Sequence, residues 1–134
     1  MNWHYKNEIF TEEMIQHHIG FVYKITNTLT GCIYFGQKHF YSTTKSRLKS
    51  NYGKKVTKMS NWVEYWGSSV HLKKDIAHYG EGMFTREILS LHCSQRELSL
   101  EECKLILFND CLHAKNSNGE YLYYNRAIRL HARR

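Results

Sequence analysis

Phe21-Val22-Tyr23-Lys24-Ile25-Thr26, Asn27-Thr28-Leu29-Thr30-Gly31 and Cys32-Ile33-Tyr34-Phe35-Gly36 follow one another without a break. The first run places Phe21, Tyr23 and Ile25 on one face of a strand, because side chains alternate with period two. The middle run has turn chemistry, with Asn and Gly suited to backbone that a strand cannot adopt. The third reads as the returning strand. Together they predict a β-hairpin, from which the rest of the chain is read outward.

Downstream, residues 37–66 hold Lys38, Lys45, Arg47, Lys49, Lys54, Lys55 and Lys58 against a single acid, Glu64. Phe40, Tyr41, Tyr52, Trp62, Tyr65 and Trp66 are interleaved with them. One-sided charge mixed with flat rings points to phosphate contacts and base stacking. Ser68 or Ser69 caps a predicted helix over Val70 to Tyr79, which Gly80 stops. Met83 to Leu91 reads as a third strand. Ser94-Gln95-Arg96-Glu97 is a capping box that opens a helix running to about Asn109. Its apolar residues surround much of the axis, so the helix is expected to be largely buried. After a polar loop, Tyr121 to Asn125 reads as a last short strand. The tail from Arg126 to Arg134 carries four arginines and no acid.

Upstream, residues 1–19 read as an N-terminal arm with one short helix starting at Thr11, and residues 127–134 as a basic tail. Between them a single domain spans 20–126. The order of elements predicts an α+β fold: a small, mostly antiparallel central sheet flanked by helices.

The chain has 134 residues, 42% of them hydrophobic and 14% aromatic, which suits one folded core and argues against disorder. Lys plus Arg outnumber Asp plus Glu by 19 to 12, a formal charge of +7 that favours a polyanionic partner. Cys32, Cys93, Cys103 and Cys111 form no CxxC pair, and His92 beside Cys93 is weak evidence for a metal. Reduced thiols, no secretory pattern and no apolar run of membrane-spanning length lead to the expectation of a soluble, cytoplasmic protein.

Phe21-Val22-Tyr23 and Tyr34-Phe35-Gly36 resemble the two naming tripeptides of the GIY-YIG endonucleases, about ten residues apart on one hairpin. Tyr65-Trp66-Gly67-Ser68-Ser69, the run ending Tyr79-Gly80, Phe84-Thr85-Arg86-Glu87-Ile88-Leu89, Glu97-Leu98 through Glu102, and Tyr124-Asn125 resemble the homing-endonuclease branch found in phages. The resemblance covers residues 20 to about 126. It implies a small GIY-YIG-type domain and a divalent-metal-dependent DNA endonuclease using Mg²⁺, with Mn²⁺ as a substitute. It also implies a phage-encoded enzyme acting on DNA in the infected host cell, as a monomer or weak homodimer. Two departures stand out. Phe21 and Val22 replace Gly and Ile, and Gly67 stands where some members carry a histidine, whose role is absent here or falls to His39 or His71.

Hydrolysis of a phosphodiester needs an activated water, neutralised phosphate charge and help for the leaving oxygen. By resemblance, Tyr23 activates the water, as base or through a relay, and Tyr34 orients the water or the phosphate. Glu102 is the expected metal ligand: it lies four residues from Leu98 and from Ile106 on an inward stripe, where a carboxylate is costly without a cation or donors. Glu101 next to it is the solvent-facing alternative. Lys38 and Arg47 are the candidate cationic stabilisers, and Asn125 resembles the late asparagine of the family. Lys45, Lys49, Lys54, Lys55, Lys58, Arg126 and Arg129 are candidate nucleic-acid contacts. Two rival readings use the same residues: a non-catalytic nucleic-acid-binding module with this fold, and a domain whose basic face meets an acidic protein.

Overall fold

A computed structural model describes residues 2–45, 53 and 55–128, with the side chains of Thr44, Lys45 and Lys55 left out. The strands are β1 (His4–Tyr5), β2 (Glu8–Ile9), β3 (Gly20–Asn27), β4 (Ile33–His39), β5 (Tyr41–Lys45), β6 (Lys55–Met59) and β7 (Phe84–His92); the helices are α1 (Val70–Tyr79) and α2 (Gln95–Phe108). Five strands make one mixed sheet in the order β2-β1-β7-β3-β4, and β5 and β6 form a separate two-stranded sheet. All neighbours in the large sheet are antiparallel except β1 and β7. The chain is thus α+β, with a mostly antiparallel sheet and helices on both faces.

The hairpin forms as its residues dictate. Asn27 ends β3, and its buried Oδ1 accepts from Leu29 N at 3.0 Å and Thr30 N at 3.3 Å, an Asx turn that starts the reversal. Gly31 completes it at φ +80°, a left-handed conformation that suits glycine. Tyr23 then falls opposite Gly36, and Ile25 opposite Tyr34. Phe21, Tyr23 and Ile25 are all buried in the larger core with Trp3, Phe40, Trp62 and Leu72. Burying each such side chain stabilises the fold by roughly 1.5–3 kcal/mol. The opposite face carries a smaller core, in which Phe35 meets Ile106 and Cys111.

Helix caps also follow the sequence. Ser69 Oγ accepts from Leu72 N at the start of α1, and Gly80 stops it at φ +91°. Ser94 Oγ accepts from Glu97 N at the start of α2. Between the helices β7 pairs with β3, with a register shift between Val22 and Tyr23 where Leu89 is the additional residue on β7. A bulge at this point sharpens the local twist beside Tyr23.

Four expectations are corrected. Residues 2–19 do not hang off the domain: β1 joins the sheet, a short 3-10 turn spans Glu12–Met14, and Trp3, Phe10 and Ile15 are buried. Their apolar bulk is worth more inside than in water, and isolated aromatics in a polar segment gave no periodicity to announce it. The aromatics of residues 37–66 are not all available for base stacking. Thr43 and Thr57 face each other across the β5–β6 pair, while Phe40 and Trp62 lie in the core, closed to any base. Helix α2 is buried only along Leu98 and Ile106; Leu100, Leu107 and Phe108 are exposed. Finally, 121–125 forms no strand. Tyr123 makes a single parallel bridge to Ile33, with Tyr124 N donating to Ile33 O at 2.8 Å.

Candidate active site

Because β4 is an outer strand of the sheet, side chains from both its faces reach one open edge. Tyr34 and Gln37, three residues apart, start on opposite faces. Around that edge lies a cleft of about 380 Å³ lined by Tyr23, Tyr34, Gln37, Tyr65, Ser68, Ser69, His71, Glu102, Tyr124, Asn125 and Arg126, together with Val70 and Ala127. Hairpin, α1, α2 and the late segment each contribute to it.

Tyr23 is almost wholly buried, and the backbone makes room for its ring. A Cβ at Gly36 would stand 2.3 Å from Tyr23 Oη, and one at Gly67 3.3 Å from it and 3.1 Å from the Tyr34 ring. Gly67 also holds φ +86°, so a histidine there would be strained as well as crowded. Of the two candidate replacements, His71 lines the cleft, whereas His39 does not; its Nε2 bonds Gln95 Oε1.

Burial pushes the Tyr23 phenol well above its ordinary value, and the neighbouring Tyr34, Tyr65 and Glu102 push in the same direction, as does a hydrogen bond with Tyr65. Tyr34 Oη lies 3.3 Å from Ser68 Oγ. Glu102, half-buried on α2 between the buried Leu98 and Ile106, accepts from Gln37 Nε2 at 2.6 Å through Oε2. Gln95 Nε2 in turn donates to Gln37 Oε1 at 2.9 Å and to Ser99 Oγ at 2.8 Å. Glu101 stands apart from the cleft, 3.8 Å from Lys104 Nζ.

Asn125 is buried and clamps the edge strand, accepting from Phe35 N at 3.0 Å and donating to Phe35 O at 2.8 Å. Tyr124 Oη donates to Asp75 Oδ2 at 2.7 Å and accepts from Asn27 Nδ2 at 3.1 Å, so turn, helix and late segment are tied at one hydroxyl. Burial first, then Asp75, raises the Tyr124 phenol, although the Asn27 bond opposes them. Arg126 packs its guanidinium 3.9 Å from the Tyr121 ring centroid and donates to the Tyr123 and Asn125 carbonyls.

Lys38 lies beside the cleft, with Nζ 4.1 Å from the centroid of the Tyr65 ring, and burial lowers its pKa. Lys58 is exposed on β6, and the backbones of Lys45 and Lys55 pair across β5 and β6. Arg47, Lys49, Lys54, Tyr52 and Arg129 lie outside the described residues.

Sequence reasoning gave no site role to Gln37, Ser68 or Arg86, and read Tyr65 only as one of the stacking rings. Gln37 falls one residue past the predicted strand Cys32–Gly36, whereas β4 runs on to His39 and carries it. Arg86 is buried between Trp3 and Trp66, its guanidinium carbon 4.6 and 4.4 Å from their centroids, and donates to Val63 O at 3.0 Å and Tyr65 O at 2.8 Å. It thereby fixes the loop that presents Tyr65 to Tyr23. Both residues act through neighbours distant in the chain, which no local pattern announces.

A family model described as "Putative endonuclease segE, GIY-YIG domain" matches residues 3–128. The chain belongs to the GIY-YIG endonuclease family. The match takes in the N-terminal segment through Trp3, in keeping with that residue's place in the core beside Tyr23, 5.2 Å between ring centroids. No curated protein and no solved structure matches the chain.

The cleft suits a hard divalent cation. Glu102 is the one carboxylate among its described lining residues, and the hydroxyls of Tyr23, Tyr34, Tyr65 and Ser68 make the remainder oxygen-rich. No helix among the described residues is long and apolar enough to cross a membrane.

Proposed function

We propose that this GIY-YIG protein is a divalent-metal-dependent DNA endonuclease of the phage homing type. The observation that carries the reading is the convergence of Tyr23, Tyr34 and Glu102 on one open cleft. Glu102 is the residue that holds the cation, Mg²⁺ by preference and Mn²⁺ as its substitute. When bound, that cation supplies positive charge at the phosphate and makes nearby water more acidic.

Tyr23 orients the attacking water and passes on its proton. Its neutral hydroxyl is the resting state, because burial and three acidic neighbours disfavour the phenolate. Tyr34 and Ser68 orient water or phosphate from the other wall. Gln37 is the positioning residue for Glu102, since its amide holds one carboxylate oxygen in place. Lys38 and Arg47 neutralise phosphate charge, and the planar guanidinium of Arg47 does so through two parallel hydrogen bonds. Asn125 acts by pinning the late segment to the β4 edge. Lys45, Lys49, Lys54, Lys55, Lys58, Arg126 and Arg129 hold the DNA backbone. One cleft with one carboxylate cuts one strand per encounter, as a monomer or a weak dimer.

Purified protein incubated with supercoiled plasmid, with Mg²⁺ or with EDTA, tests the reading beside Glu102→Ala at equal DNA occupancy. We expect Mg²⁺-dependent nicking that falls by at least about 100-fold in the variant while binding persists. Firm binding without cleavage, on the plasmid and on DNA carrying the natural target, would leave a nucleic-acid-binding module instead.

A further inference from the structure

His17 and His18 stand where the chain enters β3, and Cys93 where it leaves β7. Ile19 N donates to His92 O at 2.8 Å, holding the two segments side by side. One ligand atom from each of His17, His18 and Cys93 lies within 4.8 Å of the other two. We propose that these three residues form a zinc site that ties the N-terminal segment to the end of β7. The proposal is independent of the nuclease reading, and the site shares no residue with the cleft.

The spacing is close to what the ion needs. Zinc bonds of about 2.0–2.3 Å at tetrahedral angles set ligand atoms roughly 3.3–3.8 Å apart. His17 and Cys93, the two ligands with exposed side chains, have the freedom to close the remaining distance of about 1 Å. His18 is already prepared for binding. Its Nδ1 lies 3.0 Å from Ile15 O, and a carbonyl can only accept, so Nδ1 carries the hydrogen and in the neutral ring Nε2 is the ligating nitrogen. A backbone carbonyl behind a ligating imidazole fixes tautomer and ring orientation. The His17 and His18 rings stack 4.4 Å apart, which keeps the two imidazoles side by side.

A thiolate with two imidazoles selects zinc over magnesium, whose preference is for oxygen. His92, the sequence neighbour of Cys93, is occupied elsewhere: Nε2 lies 2.7 Å from Ser90 Oγ and Nδ1 3.3 Å from Glu97 Oε1. On binding, the Cys93 thiol gives its proton to solvent and its sulfur pair to the metal, and water takes the fourth position. Residues 2–19, which carry Trp3 against Tyr23, are then anchored at both ends, by β1 and by the metal.

Titration of the reduced full chain with Zn²⁺, and with Co²⁺ as a spectroscopic probe, tests the site. We expect one equivalent bound, a thiolate-to-cobalt charge-transfer absorption, and a higher melting temperature with Zn²⁺. Cys93→Ser and His17→Ala, at exposed positions, should each lower Zn²⁺ affinity by more than about 100-fold, since even changes behind a ligand cost about 10–100-fold. Glu102→Ala should leave binding unchanged. Absence of saturable one-to-one binding overturns the proposal, as does full affinity in Cys93→Ser or His17→Ala. Loss of the bound equivalent in Glu102→Ala overturns it too, by placing the ion in the cleft.

Discussion

Gly36 and Gly67 both make room for Tyr23, which places the hydroxyl of one residue at the centre of the cleft's design. Tyr23 belongs to the core and also lines the cleft, so the proposed chemistry and the packing separate by a single atom. Tyr23→Phe should therefore keep the fold, changing unfolding free energy by about 1 kcal/mol or less in urea melts. Plasmid nicking at equal occupancy should fall by about 10²–10⁴, the range for losing a proton-transfer group. A Tyr23→Phe variant that cuts at the wild-type rate would take Tyr23 out of the chemistry and leave it a core aromatic. Residue identity in this cleft was partly readable from the chain alone. Tyr23, Tyr34, Glu102 and Asn125 were singled out, and all four line it. Asn125, however, has its amide engaged with Phe35 at both ends, a clamp that its place after Tyr124 did not suggest.

Among the elements, those specified by neighbours in sequence were the readable ones. The β3–β4 hairpin, α1 and the start of α2 depend on alternation, an Asx turn and serine caps, all local signals. What escaped was set by distant partners. Trp3 and Phe10 enter the core from a segment without periodicity, and β5 and β6 pair through threonines and lysines for which the sequence reading predicted no strand. Helix α2 carries its apolar residues around the axis, yet only Leu98 and Ile106 are fully buried. Arg86 belongs to this level, because it joins β7 to the loop that carries Val63 and Tyr65. Arg86→Met should leave two carbonyls without their donor and cost about 2–4 kcal/mol in denaturant unfolding. Arg86→Lys should rescue little, since one ammonium cannot match a planar fork stacked between two indoles. A methionine variant as stable as wild type would show that the loop is held by packing alone.

For the whole molecule, charge and shape divide the labour. Among the described lining residues the oxygen-rich cleft carries one carboxylate, which suits a cation, whereas the chain as a whole has a formal charge of +7, which suits a polyanion. Five lysines at 45, 49, 54, 55 and 58 are concentrated on β5, β6 and the stretch between them, and the described part of that pair is largely exposed. If this region carries the DNA backbone, its contribution is countable, because each phosphate neutralised steepens the salt dependence of log Kd by about 0.9. Replacing all five with glutamine should flatten that slope by at least about 2, while Mg²⁺-dependent cutting of saturating DNA persists because Tyr23, Tyr34 and Glu102 are untouched. Binding isotherms across a salt series, measured in EDTA to prevent cleavage, give the slope directly. An unchanged slope would move the DNA-holding surface away from the β5–β6 pair and toward Arg126 and the basic tail.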